Sequence, residues 1–366
     1  MVFESYVEKG GEKLRRGFTT GSAAAAAAKG AAKMLFKQSK VEEVTIDTPA
    51  GLKLNLELVE SQFSDDSAQA AVVKDAGDDP DVTDGLKIRA QVKKAKAGIS
   101  IKGGKGVGKV TKPGLPPEVG KAAINPVPRQ MITQEVKSVL PSGEGCEVVI
   151  EVPRGEEIAE KTLNPKLGIK GGLSILGTTG IVEPMSDQAY KDSLALAIDQ
   201  ALASGKEELA LVFGNYGQEK AAEFGFDEEQ IVRMSNYVGF MLNKCVEKEV
   251  DSVVLVGQIG KLVKVAAGIF NTHSKVADAR LETIAAYTAS LGAKPEIIRQ
   301  ILAANTSEEA VQIIYQVGYE EVFSVLLDKL IERVREYTEK KLSVEAVFFS
   351  LEEGVLADSR EGDSSG

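Results

Sequence analysis

DSVVLVGQIGKLVK, residues 251–264, decides the architecture of half the chain. The run Val253–Val256 is too short for a helix and lacks the alternation of a strand with one wet face. It reads as a strand buried on both faces, the kind that parallel sheets use. Glycine at 257 opens the loop at its carboxyl end. The pattern recurs upstream, where LSIL (173–176) runs into GTTG (177–180) and ELALVF (208–213) into GNYG (214–217). Helical stretches separate these runs, SDQAYKDSLALAIDQALASG (186–205) and DEEQIVRMSNYVGFMLNKCVEKEV (227–250). More helices follow from Ser274, and VEAVFFS (344–350) predicts a late strand. Such strand–helix alternation predicts βαβ crossovers and a doubly wound, Rossmann-like α/β sheet.

The first half has a different rhythm. KVEEVTIDTPAGLKLNLELVES (40–61) alternates with period two about Pro49-Ala50-Gly51, which predicts a hairpin. SAQAAVVKD, LKIRAQVKKA, GISIKGG and CEVVIEVP predict further strands, and PRQMITQEVKSVL a helix. This is a mixed or antiparallel α+β layer. At 366 residues the chain is expected to form two domains. The boundary falls between Pro153 and Gly172, giving an α+β domain over 1–160 and an α/β domain over 161–355. LADSREGDSSG (356–366) has the composition of a disordered tail.

RRGFTTGSAAAAAAKGAAK (15–33) predicts a helix start, with Thr20 or Ser22 as cap and alanine as the best helix former. Lys29, Lys33 and Lys37 share one face; Ala24, Ala27, Ala28, Ala31 and Leu35 share the other. An alanine face admits a sheet, or a flat ligand, closer than leucines do. Free N–H groups at the helix start, beside threonine hydroxyls, suit a carboxylate or phosphate. A plain packing helix fits the stretch equally well.

The net charge of −10 argues against nucleic acid as a partner. The charge is unevenly spread, however: residues 87–129 hold eleven basic side chains against Glu118 alone, a net of +10. Such a block predicts a surface for a small polyanion. The polar N-terminus carries no leader-like apolar region, and no apolar run is long enough to span a membrane, so a cytoplasmic protein is expected. Cys146 and Cys245, with neither disulfide nor metal spacing, are expected to be buried thiols.

GGKGVGK (103–109) has P-loop spacing, but Val110 stands where magnesium requires Ser or Thr, and Pro113 prevents a phosphate-cradling helix. A nucleotide triphosphate site is excluded; a glycine turn facing an anion is not. KDAGDDPDVTDG (74–85) fails the calcium-loop pattern and reads first as a structured acidic turn, second as a cation or amine site. The loops after the three buried runs are candidate ligand sites, though none matches the dinucleotide fingerprint. His273, the only histidine, stands among Thr272, Ser274, Asp278 and Arg280. From motif chemistry alone the chain is a two-domain cytosolic enzyme for an anionic small molecule.

LRRGFTTGSAAAAAAKGAA, KDAGDDPDVTDG, GGKGVGKVTKPGLP with AINPVPRQMI, LGIKGGLSILGTTGIVEPMS and GQIGKLVKVAAGIFNTHSKVADAR together resemble the cobalt-precorrin-5B (C-1)-methyltransferases of anaerobic cobalamin synthesis. The resemblance runs in order from about residue 14 to about 290. It departs at Asp84, where the family often has histidine. The family is not built like the other precorrin methyltransferases, so their site residues do not carry over. The resemblance implies transfer of a methyl group from S-adenosylmethionine to C-1 of a cobalt-containing, carboxylate-rich macrocycle, without a protein-bound metal. Thr178, Thr179, Gly180, Gly214, Asn215 and Gly257 are then the candidates for the methyl donor. Arg16, Thr19, Thr20, Lys105, Lys109, Arg129 and Lys261 are the candidates for the macrocycle, with the alanine helix as a thin wall beside it. His273 and Asp278 are the candidate catalytic groups. A nicotinamide-dependent α/β enzyme and a non-catalytic tetrapyrrole carrier are the competing readings.

Overall fold

A computed structural model describes residues 3–9 and 11–362. The chain divides into two compact units, Met1–Asp187 and Gln188–Gly366. The division falls some way beyond the 160/161 boundary expected from composition.

In the N-terminal unit five strands form one sheet in the spatial order Val59–Phe63, Ser67–Val73, Lys87–Ala95, Gly145–Glu151, Ile99–Gly103. All neighbours are antiparallel except the last pair, Gly145–Glu151 with Ile99–Gly103, which is parallel. The expected hairpin is present, with Glu43–Asp47 antiparallel to Lys53–Glu57. Helix Thr20–Lys37 packs on the sheet and against helix Pro126–Lys137. Ala23 to Ala28, Ala31 and Ala32 are all 0% exposed. Alanine is therefore used here for close approach on every side: a Cβ at Gly30 would stand 2.3 Å from a methyl of Leu58. The helix is a central spine of the core, so the wall beside a flat ligand does not materialise. Of the lysines on this helix, Lys29 donates to Glu135 at 2.7 Å and to the Thr45 carbonyl. The second Glu135 oxygen accepts the Asp47 N–H at 2.8 Å.

In the C-terminal unit the strand order is Ile231–Arg233, Glu208–Val212, Ser252–Gln258, Ser343–Ser350, Gly354–Asp358. The first four are parallel and the last antiparallel. Successive side chains enter opposite cores. Leu209, Leu211, Val253, Leu255, Ala346 and Phe348 join a large helical layer, while Ala210, Val212, Val254, Val256, Val347 and Phe349 join a smaller one with Ala221 and Phe226. Both faces are covered, as continuous apolar runs require.

Three expectations need correction. LSIL is not a strand of the parallel sheet. It belongs to the N-terminal unit, where Gly172–Leu173 pairs with Gly106–Val107 and Ile175 bridges Ile124. Gly172 and Gly177, both at positive φ, bend the chain on either side and stop the strand from lengthening. The stretch 227–250 is not all helix: Ile231–Arg233 is the edge strand, and the helix begins at Val238. The tail is ordered as far as Gly362, while residues 363–366 lie outside the described residues. Gly354–Asp358 covers the edge of Ser343–Ser350, and the Ser359 hydroxyl accepts the Ala346 N–H. Arg360 grips Asp358 and lies 4.8 Å from the centre of the Phe224 ring. A paired edge and a cation–π contact outweigh a polar composition.

Candidate functional site

The two Thr-Thr-Gly segments meet inside the N-terminal unit. The Thr19 hydroxyl accepts the Ser22 N–H and is the helix cap, the role expected of Thr20 or Ser22. Thr20, 4% exposed, instead accepts the Leu176 N–H at 2.9 Å and donates to the Leu176 carbonyl at 3.2 Å. Gly21 N–H donates to the same carbonyl, Thr19 N–H to the Gly180 carbonyl, and the Ser22 hydroxyl to Gly180 at 2.7 Å. A Cβ at Gly177 would collide with Thr19 at 2.4 Å. A Cβ at Gly180, which sits at φ +81°, would press on Thr48 at 2.9 Å and on the Ser22 hydroxyl at 3.0 Å. The helix start thus spends its donors on the 176–180 turn. The motifs do not belong to separate halves, because Thr178, Thr179 and Gly180 follow no strand of the parallel sheet. Thr178 and Thr179 are exposed there, as is Leu176.

The acidic turn is a structural knot. Asp75 pairs with Arg15 through two hydrogen bonds, Asp78 accepts the Arg15 N–H, Asp79 the Met185 N–H and Asp84 the Ala76 N–H. Asp81 accepts from Thr83 and from Lys74, which is 2% exposed. The departure at Asp84 therefore sits on a backbone contact.

The basic block is partly neutralised by acids from elsewhere in the unit. Lys87 and Arg89 pair with Glu60, Arg89 also with Glu151, and Lys102 with Glu147. Arg129 is a strut: half-buried, it donates to the carbonyls of Ile124 and Ile101, and burial lowers its pKa. Arg16 lies against Ser5. Lys105 and Lys109 are exposed, and Lys109 stands directly opposite Lys170 on a two-residue antiparallel ladder. Among the described residues neither Lys109 nor Lys170 has an acid partner. Like charges directly opposite on a ladder destabilise it, so the pair contributes nothing to the stability of this ladder. Lys170 escaped the sequence reading because it lies outside the 87–129 block and only the fold brings it to Lys109.

In the C-terminal unit the chain order places a topological switch at Glu208–Val212. One connection leaves it for Ile231–Arg233 on one side, and the next strand, Ser252–Gln258, lies on the other. Ligands bind outside the carboxyl ends of such strands. Gly214 and Asn215 start the helix after the first strand, and a Cβ at Gly214 would meet nothing within 4 Å. The Asn215 side chain is held by Arg233. Gly257 has a packing reason: a Cβ there would press on the Phe213 ring at 2.7 Å. Lys261 Nζ donates to Asn236 Oδ1 at 2.8 Å, joining segments that follow the two strands flanking Glu208–Val212. The fully buried Thr272 donates to the same oxygen at 3.2 Å. Lys264, 3% exposed, donates to the carbonyls of Thr272 and Ala277. Asn236 was invisible in sequence, since a three-residue edge strand leaves no periodic signal, and Thr272 was seen only as a neighbour of His273.

The candidate catalytic groups are differently placed. His273 is exposed, with Nδ1 accepting the Lys275 N–H at 3.1 Å. Asp278 is bound by Arg280 through bonds of 2.7 and 2.8 Å, which hold its carboxyl below the usual range. Burial pushes the Cys146 thiol up to about 11 and Cys245 up to about 12, so both are inert at neutral pH, as expected. No helix of the described residues is long and apolar enough to cross a membrane.

The CbiD family model matches residues 7–184, and the model of the CbiD C-terminal domain matches residues 271–360. A cobalt-precorrin-5B C(1)-methyltransferase of Alkaliphilus metalliredigens is 50% identical, over 97% of this chain and 94% of that one. One of a Thermoanaerobacter species is 49% identical, over 98% and 99%. A crystal structure of the cobalamin biosynthesis protein (cbiD) from Archaeoglobus fulgidus is 30% identical, covers 75% of this chain and 86% of that chain, and superposes with a TM-score of 0.40. The two family models and the near-full-length relatives agree, and the chain belongs to the CbiD family, that of the cobalt-precorrin-5B C(1)-methyltransferases.

Proposed function

We propose that this chain methylates C-1 of cobalt-precorrin-5B, with S-adenosylmethionine as donor, giving cobalt-precorrin-6A in anaerobic cobalamin synthesis. The observation that carries the reading is near-full-length identity of 49–50% to relatives that bear this activity in their names. The transfer forms a bond from the ring carbon to the methyl carbon while the methyl–sulfur bond breaks, its electron pair staying on sulfur. A sulfonium leaving group needs alignment more than acid or base help. That suits a site whose only histidine is exposed and whose nearby aspartate is locked to an arginine.

The C-terminal sheet is read as doubly wound, with the donor at its switch point beside Gly214 and Asn215. The open space at Gly214 admits close approach of a ligand to the backbone. The macrocycle is assigned to the N-terminal unit, with Lys105, Lys109 and Lys170 facing its carboxylates. The cytoplasm is the compartment this reading implies.

Titration of the full chain with S-adenosylhomocysteine, and separately with NADH, tests the donor. Binding of the first without the second is expected, and the reverse would sink the methyltransferase reading. Turnover of cobalt-precorrin-5B to a product one methyl heavier excludes a carrier that does no chemistry.

Lys109→Gln combined with Lys170→Gln is expected to raise the macrocycle KM several-fold and leave donor affinity unchanged. Exposed charges are screened beyond ~8 Å at physiological salt, so added salt should raise the wild-type KM in the same direction. A KM that is flat with salt and unmoved by the double substitution would make the pair an ordinary solvated surface.

A further inference from the structure

Lys261 is built into a position that disfavours a cation. It lies in the first turn of helix Ile259–Ala266, where the helix dipole opposes positive charge and no acidic residue is present. Burial lowers its pKa, and the neighbouring cations Lys264 and Arg280 push it the same way. Asp278 faces the cluster but is committed to Arg280, with Lys264 at 3.9 Å, and Glu282 also acts on Arg280. The Lys261 ammonium has a neutral partner, Asn236 Oδ1, and among the described residues no ion pair. Lys264, one turn on, is the more buried of the two and satisfies itself on backbone carbonyls. A half-buried, acid-free lysine among like charges, beside the carboxyl ends of parallel strands, is an arrangement that an anion would relieve.

We propose that Lys261, supported by Asn236 and Thr272, binds the α-carboxylate of the methyl donor. The assignment rests on the methyl-transfer reading above and moves Lys261 from the macrocycle to the donor. It follows from location: Lys261 and Asn236 come from the segments flanking the strand that ends at Gly214, where the adenosine part of the donor is placed. The carboxylate would supply the missing counter-charge, accept from the ammonium, and fix the sulfonium end of the donor relative to its nucleoside.

The test uses the full chain and two probes, S-adenosylhomocysteine, which carries the carboxylate, and 5′-methylthioadenosine, which lacks the amino-acid portion. Lys261→Gln is expected to weaken S-adenosylhomocysteine about tenfold or more, the scale of a charge-assisted hydrogen bond. Affinity for 5′-methylthioadenosine should stay within about twofold of wild type, and Lys261→Arg should recover most of the lost affinity. Because the substitution removes a repelled cation, Lys261→Gln without ligand should melt no lower than wild type. A lowered melting temperature would make the lysine structural and overturn the assignment. So would unchanged S-adenosylhomocysteine affinity with a raised macrocycle KM, which would hand Lys261 back to the macrocycle. Failure of wild type to bind S-adenosylhomocysteine at all would instead overturn the methyl-transfer reading itself.

Discussion

Asp81→Ala should destabilise the N-terminal unit by about 3 kcal/mol, the low end for breaking a buried ion pair because the Asp81 side chain is 25% exposed. The loss comes from what remains: Lys74, 2% exposed, would be left buried with no acceptor for its side-chain nitrogen. Thr83 would lose the carboxylate that accepts both its N–H and its hydroxyl. Lys74→Met alone should cost less, and Lys74→Met with Asp81→Ala should recover much of the loss, since no buried charge is then stranded. Urea unfolding of the four proteins measures the cycle; strictly additive costs would show that the pair is not coupled. The same aspartates set the acid response. Burial pushes the Asp81 carboxyl up, but Lys74 and the hydrogen bonds from Lys74 and Thr83 outweigh it and leave the pKa lowered; Arg15 lowers that of Asp75. A depressed carboxyl contributes stability that is complete above its unfolded pKa of ~3.9 and is lost as pH falls through the folded value. The unit should therefore hold its stability down to about pH 4 and lose it below. In Asp81→Ala that acid dependence should be shallower.

Thr20→Val should cost about 2 kcal/mol, because the Leu176 N–H loses its acceptor and the Leu176 carbonyl one of its donors. Thr19→Val, which removes only the helix cap, should cost ~1 kcal/mol. The order is the reverse of what a capping role for Thr20 implies. Thr20→Ser keeps the hydroxyl and should retain most of the stability. Thermal melts of the three variants decide it, and equal losses for Thr19→Val and Thr20→Val would mean that the contact with the 176–180 turn contributes little. Since both Thr-Thr-Gly segments are one hydrogen-bonded knot, damage to either should spread to the other.

The parallel sheet was legible because its strands are buried on both faces, and continuous burial writes an apolar run into the sequence. LSIL carries the same signature for another reason: Leu173 is buried beside a two-residue ladder and Ile175 beside a single bridge, between glycines that bend the chain. Composition cannot tell a buried bridge from a buried strand. Ile231–Arg233 failed in the opposite way, as three residues hold less than two periods of any pattern. The loops at 214 and 257 were readable as strand ends, yet the reason for Gly257 was not, because the Phe213 ring comes against it from the preceding strand's loop. Asn236, Thr272 and Lys170 owe their places to partners far away in sequence, which no local window contains.

The alanine spine has a consequence for how the N-terminal unit breathes. Amide protons of Ala23 to Ala32 lie under side chains so small that the neighbouring backbone and strands close directly over them. Local fraying reaches such amides last, so their exchange with deuterium requires opening of the whole unit and reports its global unfolding free energy. The first turn, Thr20 to Ser22, is tied to residues 176 and 180. A slow-exchanging block should thus run continuously from one Thr-Thr-Gly segment to the other, although more than 150 positions separate them in the chain.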